Sequence, residues 1–249
     1  MHSNRFRTVA LLSLAAALSL SACKKDGDTA AASGEPVAKV SAPAGKSWTE
    51  TVSETEDGGF VVGNPNAPIK LVEYGSLSCP HCAKLEQDGG EKLMNDYVGS
   101  GRVSWEFRSF AIHPQDVPLT MLATCAGKDT FFPLMAQIYT NFDAMNEIYN
   151  DKAAIDRAQA ASALPPAQRY IGLSDALGYT DFFAKRGVSA DQAHACLADP
   201  AKAEKVAKLA EKYGNDGING TPTLVINGNT VDGNTWDVLE AALQKAGAR

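Results

Sequence analysis

Apolar positions along the chain follow more than one rhythm. Between residues 48 and 62 they alternate weakly around Gly58-Gly59, which predicts a strand or hairpin at a domain edge. Asn64-Pro65-Asn66-Ala67-Pro68 is a turn cluster, and residues 69–74 form an apolar run that predicts the first core strand. A helical pattern follows over about residues 79–97, with Leu85, Leu93, Met94 and Tyr97 turned to the core; Gly89-Gly90 inside it predicts a weak point or kink. Gly99-Ser100-Gly101 ends that helix, and residues 102–108 alternate as a second core strand. Strand, helix and strand in this order make a βαβ unit, with parallel pairing and a right-handed crossover.

From about residue 114 to 200 the alternation disappears, and Ala, Leu, Met and Gln dominate. Helices are predicted over residues 119–126, 130–141, 152–164, 167–176 and 190–197, punctuated by Pro165-Pro166, Gly172, Gly178 and Gly187. The whole stretch reads as an all-helical insertion. Residues 201–213 form a cleaner amphipathic helix, with Val206, Leu209, Ala210 and Tyr213 on one stripe and Gly214 as its stop. Residues 223–226 are strongly strand-like and run into Asn227-Gly228, a hairpin turn signal, with residues 230–232 as the return strand. A last helix begins near Asn234 or Thr235 and carries Trp236, Leu239 and Leu243 on one face. Together these elements predict an α/β domain over residues 48–249: a mixed central sheet flanked by helices, with a helical insertion between a βαβ half and a ββα half.

The N-terminus follows different rules. Arg5 and Arg7 precede an apolar run over residues 8–20, too short for an ordinary membrane span, so residues 1–22 read as an export signal. The run ends in Leu20-Ser21-Ala22-Cys23, which resembles the lipobox of bacterial lipoproteins, where the cysteine is acylated and becomes the new N-terminus. Ordinary signal cleavage beside an incidental cysteine, or an uncleaved anchor, are the alternatives. Residues 23–47 are Ala, Gly, Ser, Pro and charge, with almost no large apolar side chain, and are expected to form a flexible tether. A lipid on Cys23 would anchor the protein to a membrane without spanning it. The net charge is −6, and removing residues 1–22 takes away two cations and no acid, which argues against a nucleic-acid partner.

Chemistry concentrates in Cys79-Pro80-His81-Cys82, at the junction of the first core strand and its helix. A cysteine at a helix N-terminus meets unsatisfied N–H groups and the positive end of the helix dipole, which favour the thiolate. Pro80 suits the first helical turn, where its missing N–H has no partner to lose. His81 can add a positive charge or a hydrogen bond to the same thiolate. A Cys-x-x-Cys pair can also be half of a zinc site or a structural disulfide. The five cysteines include Cys125 and Cys196. In the oxidising compartment that export implies, they are expected to pair, with two buried free thiols or a four-cysteine zinc site as the alternatives.

These residues resemble the thioredoxin-fold disulfide oxidoreductases of the DsbA type, over about residues 61 to the end. Cys79-Pro80-His81-Cys82 is similar to the active-site tetrapeptide of that family, Gly220-Thr221-Pro222-Thr223 to its cis-proline loop, and the helical insertion to its arrangement of halves. The resemblance implies that Cys79 is the exposed attacking sulfur, Cys82 its buried partner, and Glu73 a buried acid beneath the site that relays the proton of Cys82. A solvent-facing place in its strand is the alternative for Glu73. It also implies that Thr221 and cis-Pro222 line the substrate groove and offer backbone hydrogen bonds to an extended peptide. The activity implied is the introduction of disulfides into exported cysteine-containing proteins, at the periplasmic side of a membrane, with a membrane or periplasmic redox partner and no cofactor or metal. Thr221 in place of the family's Val, and the lipobox and tether, depart from the soluble members. A disulfide reductase or isomerase, or a non-catalytic metal- or peptide-binding lipoprotein, are the competing readings.

Overall fold

The computed structural model describes residues 34–249. The signal at residues 1–22, Cys23 and the start of the tether lie outside the described residues. Six strands form one sheet in the order β1-β2-β4-β3-β5-β6: β1 is Val52–Glu54, β2 Phe60–Gly63, β3 Ile69–Gly75, β4 Val103–Ser109, β5 Thr223–Ile226 and β6 Asn229–Thr230. The weak alternation ahead of the turn cluster is an antiparallel edge hairpin, β1 with β2. β3 pairs parallel with β4, Leu71 opposite Trp105, and antiparallel with β5, Glu73 opposite Leu224. This is the mixed, helix-flanked sheet that the pattern predicts.

Both faces of β3 are covered. Successive side chains of a strand point to opposite faces. Ile69 and Leu71 join the main core with Leu85, Trp105, Phe107, Leu239 and Leu243, and Glu73 shares their parity. Tyr74 faces the other way, into a smaller cluster with Phe110 and Tyr213, closed by Leu209 and Ala210. Those last three residues belong to the amphipathic helix, here Pro200–Asn215. It passes Gly214, the expected stop, by one residue.

The first helix, α1, is Pro80–Lys92 and continues as a widened π turn, Leu93–Val98, in which the Gly99 N–H reaches back five residues to the Met94 carbonyl. The expected weak point at Gly89-Gly90 is not a break. Both glycines are buried in continuous helix, because a β-carbon at Gly89 would run into the Trp236 indole and one at Gly90 into the Glu86 carboxyl. The insertion holds seven helices: α2 Asp116–Ala123, α3 Phe131–Thr140, α4 Phe142–Asn146, α5 Lys152–Ser162, α6 Pro166–Ala176, α7 Tyr179–Ala184 and α8 Ala190–Leu197. α4 and α7 carry too few residues to show a period. α7 is held by packing, with Tyr179 and Phe183 in the core. Then come α9, Pro200–Asn215, and α10, Trp236–Lys245. Asn227 and Gly228 both have positive φ, 49° and 82°, as a two-residue I′ hairpin turn requires. That turn pairs Ile226 with Asn229, so the return strand starts earlier than residue 230.

The tether prediction needs correction for residues 34–47. Gly34 N–H donates to the Lys245 carbonyl at 2.8 Å, Val37 N–H to Gly247 at 2.9 Å and Val40 N–H to Ser100 at 2.9 Å. The indole N–H of Trp48 donates to the Val40 carbonyl at 2.7 Å. A segment without large apolar side chains docks here through its backbone and the Val37 side chain, which packs on the core, and it satisfies carbonyls at and beyond the end of α10 and at Ser100. Among the described residues no helix is long and apolar enough to cross a membrane.

Candidate active site

The turn Ser76-Leu77-Ser78 carries β3 into α1 and puts Cys79 at the N-cap of the helix, with Pro80 in its first turn. The two sulfurs are not bonded to each other, and both cysteines are buried; Cys79 is 4% exposed, so it is not the exposed sulfur that the resemblance implies, because the Thr221–Pro222 loop packs over it. Their environments push them apart. The Cys79 thiol falls from 9.0 to about 5, first because the Cys82 thiol donates a hydrogen bond to its sulfur, with further help from Thr221 and from the backbone N–H groups of Cys82 and His81, against the opposing effect of burial. Cys82 is fully buried and rises well above the ordinary thiol value, because burial disfavours its charge and the charges of Cys79 and Glu73 add to that. One sulfur is thus a thiolate at neutral pH and the other a thiol. His81 contributes through its backbone N–H, while its side chain is exposed.

Thr221 arrives from 142 positions away in the chain. Its carbonyl accepts the Cys79 thiol hydrogen at 3.4 Å when that thiol is protonated. Its hydroxyl is buried without another partner, beside the sulfur whose ionised form it favours. The Thr221–Pro222 bond is cis and Pro222 is buried.

Glu73 is 4% exposed, so it is not the solvent-facing strand residue that was its alternative. Burial, then the charge of Glu86, lifts its carboxyl from 4.5 to about 8. Glu86, one helical turn after Cys82, is itself lifted to about 7 by burial. Its carboxyl folds back over Gly90, a placement that only the tertiary structure shows.

A second group was invisible in the sequence. The Asp116 carboxylate, fully buried at the start of α2, accepts from the Ser76 hydroxyl at 2.9 Å, the Ser78 N–H at 3.0 Å and the His113 N–H at 2.9 Å. Tyr139 of α3 donates to the Ser76 carbonyl at 3.0 Å, and Ser78 Oγ lies 3.0 Å from His113 Nδ1. The insertion therefore clamps the loop that presents Cys79. Separations of 35 to 63 residues left no local signal for this.

Cys125, just after α2, and Cys196 of α8 form a disulfide with their Cα atoms 5.9 Å apart, inside the insertion and separate from the Cys79–Cys82 pair. Among the described residues no group of three or more His, Cys, Asp or Glu gathers as a metal site would require.

A Cys-x-x-Cys dithiol at the head of a helix, fed by a central strand and faced by a cis-proline loop, defines a thioredoxin-fold protein with a redox centre. The family model described as thioredoxin matches residues 55–245, and the chain belongs to that family. It is 26% identical over 200 residues to a Rickettsia conorii protein provisionally named a protein-disulfide oxidoreductase, covering 78% of this chain and 62% of that protein, so it spans about three fifths of that relative's length. The crystal structure of a protein-disulfide isomerase from Novosphingobium aromaticivorans is similar at TM-score 0.68 and 25% identity, over 74% of this chain and 94% of that one. Wolbachia pipientis alpha-DsbA1 shares the fold at TM-score 0.61 and 20% identity, over 78% of this chain and 94% of that one.

Proposed function

We propose that the protein is a thiol–disulfide oxidoreductase that introduces disulfide bonds into exported proteins through its Cys79–Cys82 pair. The observation that carries this reading is the split between the two sulfurs, Cys79 lowered to about 5 and Cys82 raised. A stabilised Cys79 thiolate is a good leaving group and makes the dithiol the favoured state of the pair, which makes the disulfide oxidising. A substrate thiolate attacks Cys79 of the disulfide; the Cys79–Cys82 bond breaks and Cys82 leaves with the electron pair. A second substrate thiolate then attacks the substrate sulfur of the mixed disulfide and releases Cys79 as a thiolate. The substrate has lost two electrons and the pair has gained them, so a redox partner must remove them before the next turnover.

Thr221 and Pro222 form the wall that an extended peptide would meet, with Thr221 supplying backbone hydrogen bonds. Glu73 takes and returns the Cys82 proton. In this reading Cys23 is acylated, and the domain works on the periplasmic side, held at a membrane by the lipid. The names of the Rickettsia and Novosphingobium relatives support disulfide chemistry; the latter name, with Thr221 beside the sulfur, favours an isomerase as the second reading.

The test is the equilibrium of the pair against glutathione buffers in the Cys23→Ser protein. The expected result is a pair that stays reduced in mixtures where glutathione is substantially oxidised. A pair that takes up oxidation as readily as a reductase dithiol would exclude the oxidase and leave the reductase or isomerase.

A further inference from the structure

Three strands bring three loops to one edge of the sheet. β3 runs parallel to β4, pairing Gly75 with Ser109, and antiparallel to β5, pairing Tyr74 with Thr223. The turn after β3, which ends in Cys79, therefore lies between the loop that leaves β4 and the loop that enters β5. Thr221 meets the sulfur from the β5 side. His113 stands in the loop on the β4 side, bonded to the residue before Cys79.

His113 has four polar groups, and three of them are engaged inside the protein. Its N–H donates to Asp116 Oδ2 at 2.9 Å, its carbonyl accepts from the Asp116 N–H at 3.0 Å, and its Nδ1 lies 3.0 Å from Ser78 Oγ. The order of donors along this chain is set from its buried end. Asp116 is fully buried, and its carboxylate accepts the Ser76 hydroxyl at 2.9 Å, so Ser76 Oγ is left to accept from the Ser78 hydroxyl at 3.4 Å. Ser78 Oγ then accepts from the Nδ1–H of His113, and the Asp116 carboxylate, 3.6 Å from the same nitrogen, favours a proton there. A neutral ring protonated at Nδ1 carries its lone pair on Nε2. Nε2 has no partner among the described residues, and the side chain is 45% exposed.

We propose that His113 is a specificity-determining residue of the exchange reaction, whose Nε2 accepts a backbone N–H of the substrate on the β4 side of Cys79, opposite Thr221. The proposal rests on the exchange reading given above. An extended peptide points the N–H groups of successive residues to opposite edges. A peptide lying between the two loops and bonded to Thr221 along one edge turns the N–H of a neighbouring residue to the other edge, where the imidazole stands. The ring is already held by its three inner contacts, so binding orders no new side chain on this wall. The ligand is an extended cysteine peptide with an amide N–H beside its reacting cysteine; a proline or an N-methylated residue at that place has none to give. No proton or electron passes through His113 in this step. It fixes where the substrate sulfur arrives.

The experiment is rapid-mixing reduction of the oxidised protein by a cysteine peptide over a range of concentrations, giving a half-saturation concentration and a limiting rate. The same peptide N-methylated at the cysteine amide, or at the amide after it, is run beside it, and dithiothreitol serves as a reductant with no backbone. The proteins are the wild type and His113→Asn, whose amide reaches Ser78 Oγ as Nδ1 does and presents nothing at Nε2. The expected result is that one of the two methylations raises the wild-type half-saturation concentration about fivefold at an unchanged limiting rate. His113→Asn should show that rise already with the unmethylated peptide, gain nothing more from the methyl group, and react with dithiothreitol as the wild type does. Neither methylation affecting the wild type, an equal methylation effect in both proteins, or a His113→Asn protein that is slower with dithiothreitol or shifted in its Cys79 thiolate titration would overturn the proposal and leave His113 only the holding of the turn. A wild type that reacts with the peptide no faster than a free disulfide would overturn the exchange reading as well.

Discussion

The ionisation of Cys79 is the most direct handle on the site. The perturbation is pH alone, applied to the reduced and the oxidised protein in parallel. Cys79 drops from 9.0 to about 5 in the fold. A group whose folded pKa lies below its unfolded value adds stability above that unfolded value and loses it as pH falls through the folded one. The reduced form should therefore gain on the oxidised form as pH rises from about 5 to 9, while Cys82, pushed upward, stays neutral over the range. The Cys79 charge is the smallest of the causes that raise Glu73, so Glu73 takes only a small part in the difference. Each unit of pH is worth about 1.4 kcal/mol at most. Between pH 5 and 7 the gain comes to roughly 2 kcal/mol once solvent screening at a sulfur on the edge of the core is allowed for. The assay has two arms: absorbance near 240 nm of the reduced minus the oxidised protein, which follows the thiolate, and denaturant unfolding of each form at several pH values. A thiolate signal that rises only above pH 8, or a stability difference that is flat from pH 5 to 9, would refute the reasoning.

Other consequences follow from the same contacts. Replacing His81 by Leu keeps the backbone N–H at Cys79 and should raise the thiolate titration by less than about one unit; a return to an ordinary thiol would make the ring charge the main cause. Thr221→Val removes the buried hydroxyl beside the sulfur and should raise the same titration without changing secondary structure by circular dichroism. Glu73 is raised to about 8, so its protonated form is favoured in the fold and stability is lost as pH climbs from about 4.5 towards 8. Glu73→Gln should flatten that loss in denaturant unfolding. Asp116→Ala strands the Ser76 hydroxyl and the Ser78 and His113 N–H groups, and should cost about 3 to 5 kcal/mol in unfolding free energy and slow thiol exchange at Cys79.

Much of this protein was legible in the chain because the signals were local. An apolar run marked β3 and alternation marked β4, Asn227-Gly228 marked the hairpin, and Cys79-Pro80-His81-Cys82 at a strand-to-helix junction marked the chemistry. The stripe on α9 was plain because Val206, Leu209, Ala210 and Tyr213 recur at helical spacing. A short helix such as α7 carries no sequence signal because its three buried side chains, Tyr179, Thr180 and Phe183, cannot show a period. Residues 34–47 look like a tether in composition because their docking rests on backbone hydrogen bonds and one small apolar side chain, Val37.

The sequence by itself determined the order of the main elements and the reactive dithiol, while the burial of Glu73 came from the fold. Only the tertiary structure decided what surrounds the sulfur. It brought Thr221 to Cys79, Asp116 to the loop before it, and the Glu86 carboxyl over Gly90. The physical reason is that a reactivity set by desolvation and by hydrogen bonds across 40 to 142 positions depends on distances in space, and spacing along the chain carries those distances only within one strand or one helical turn.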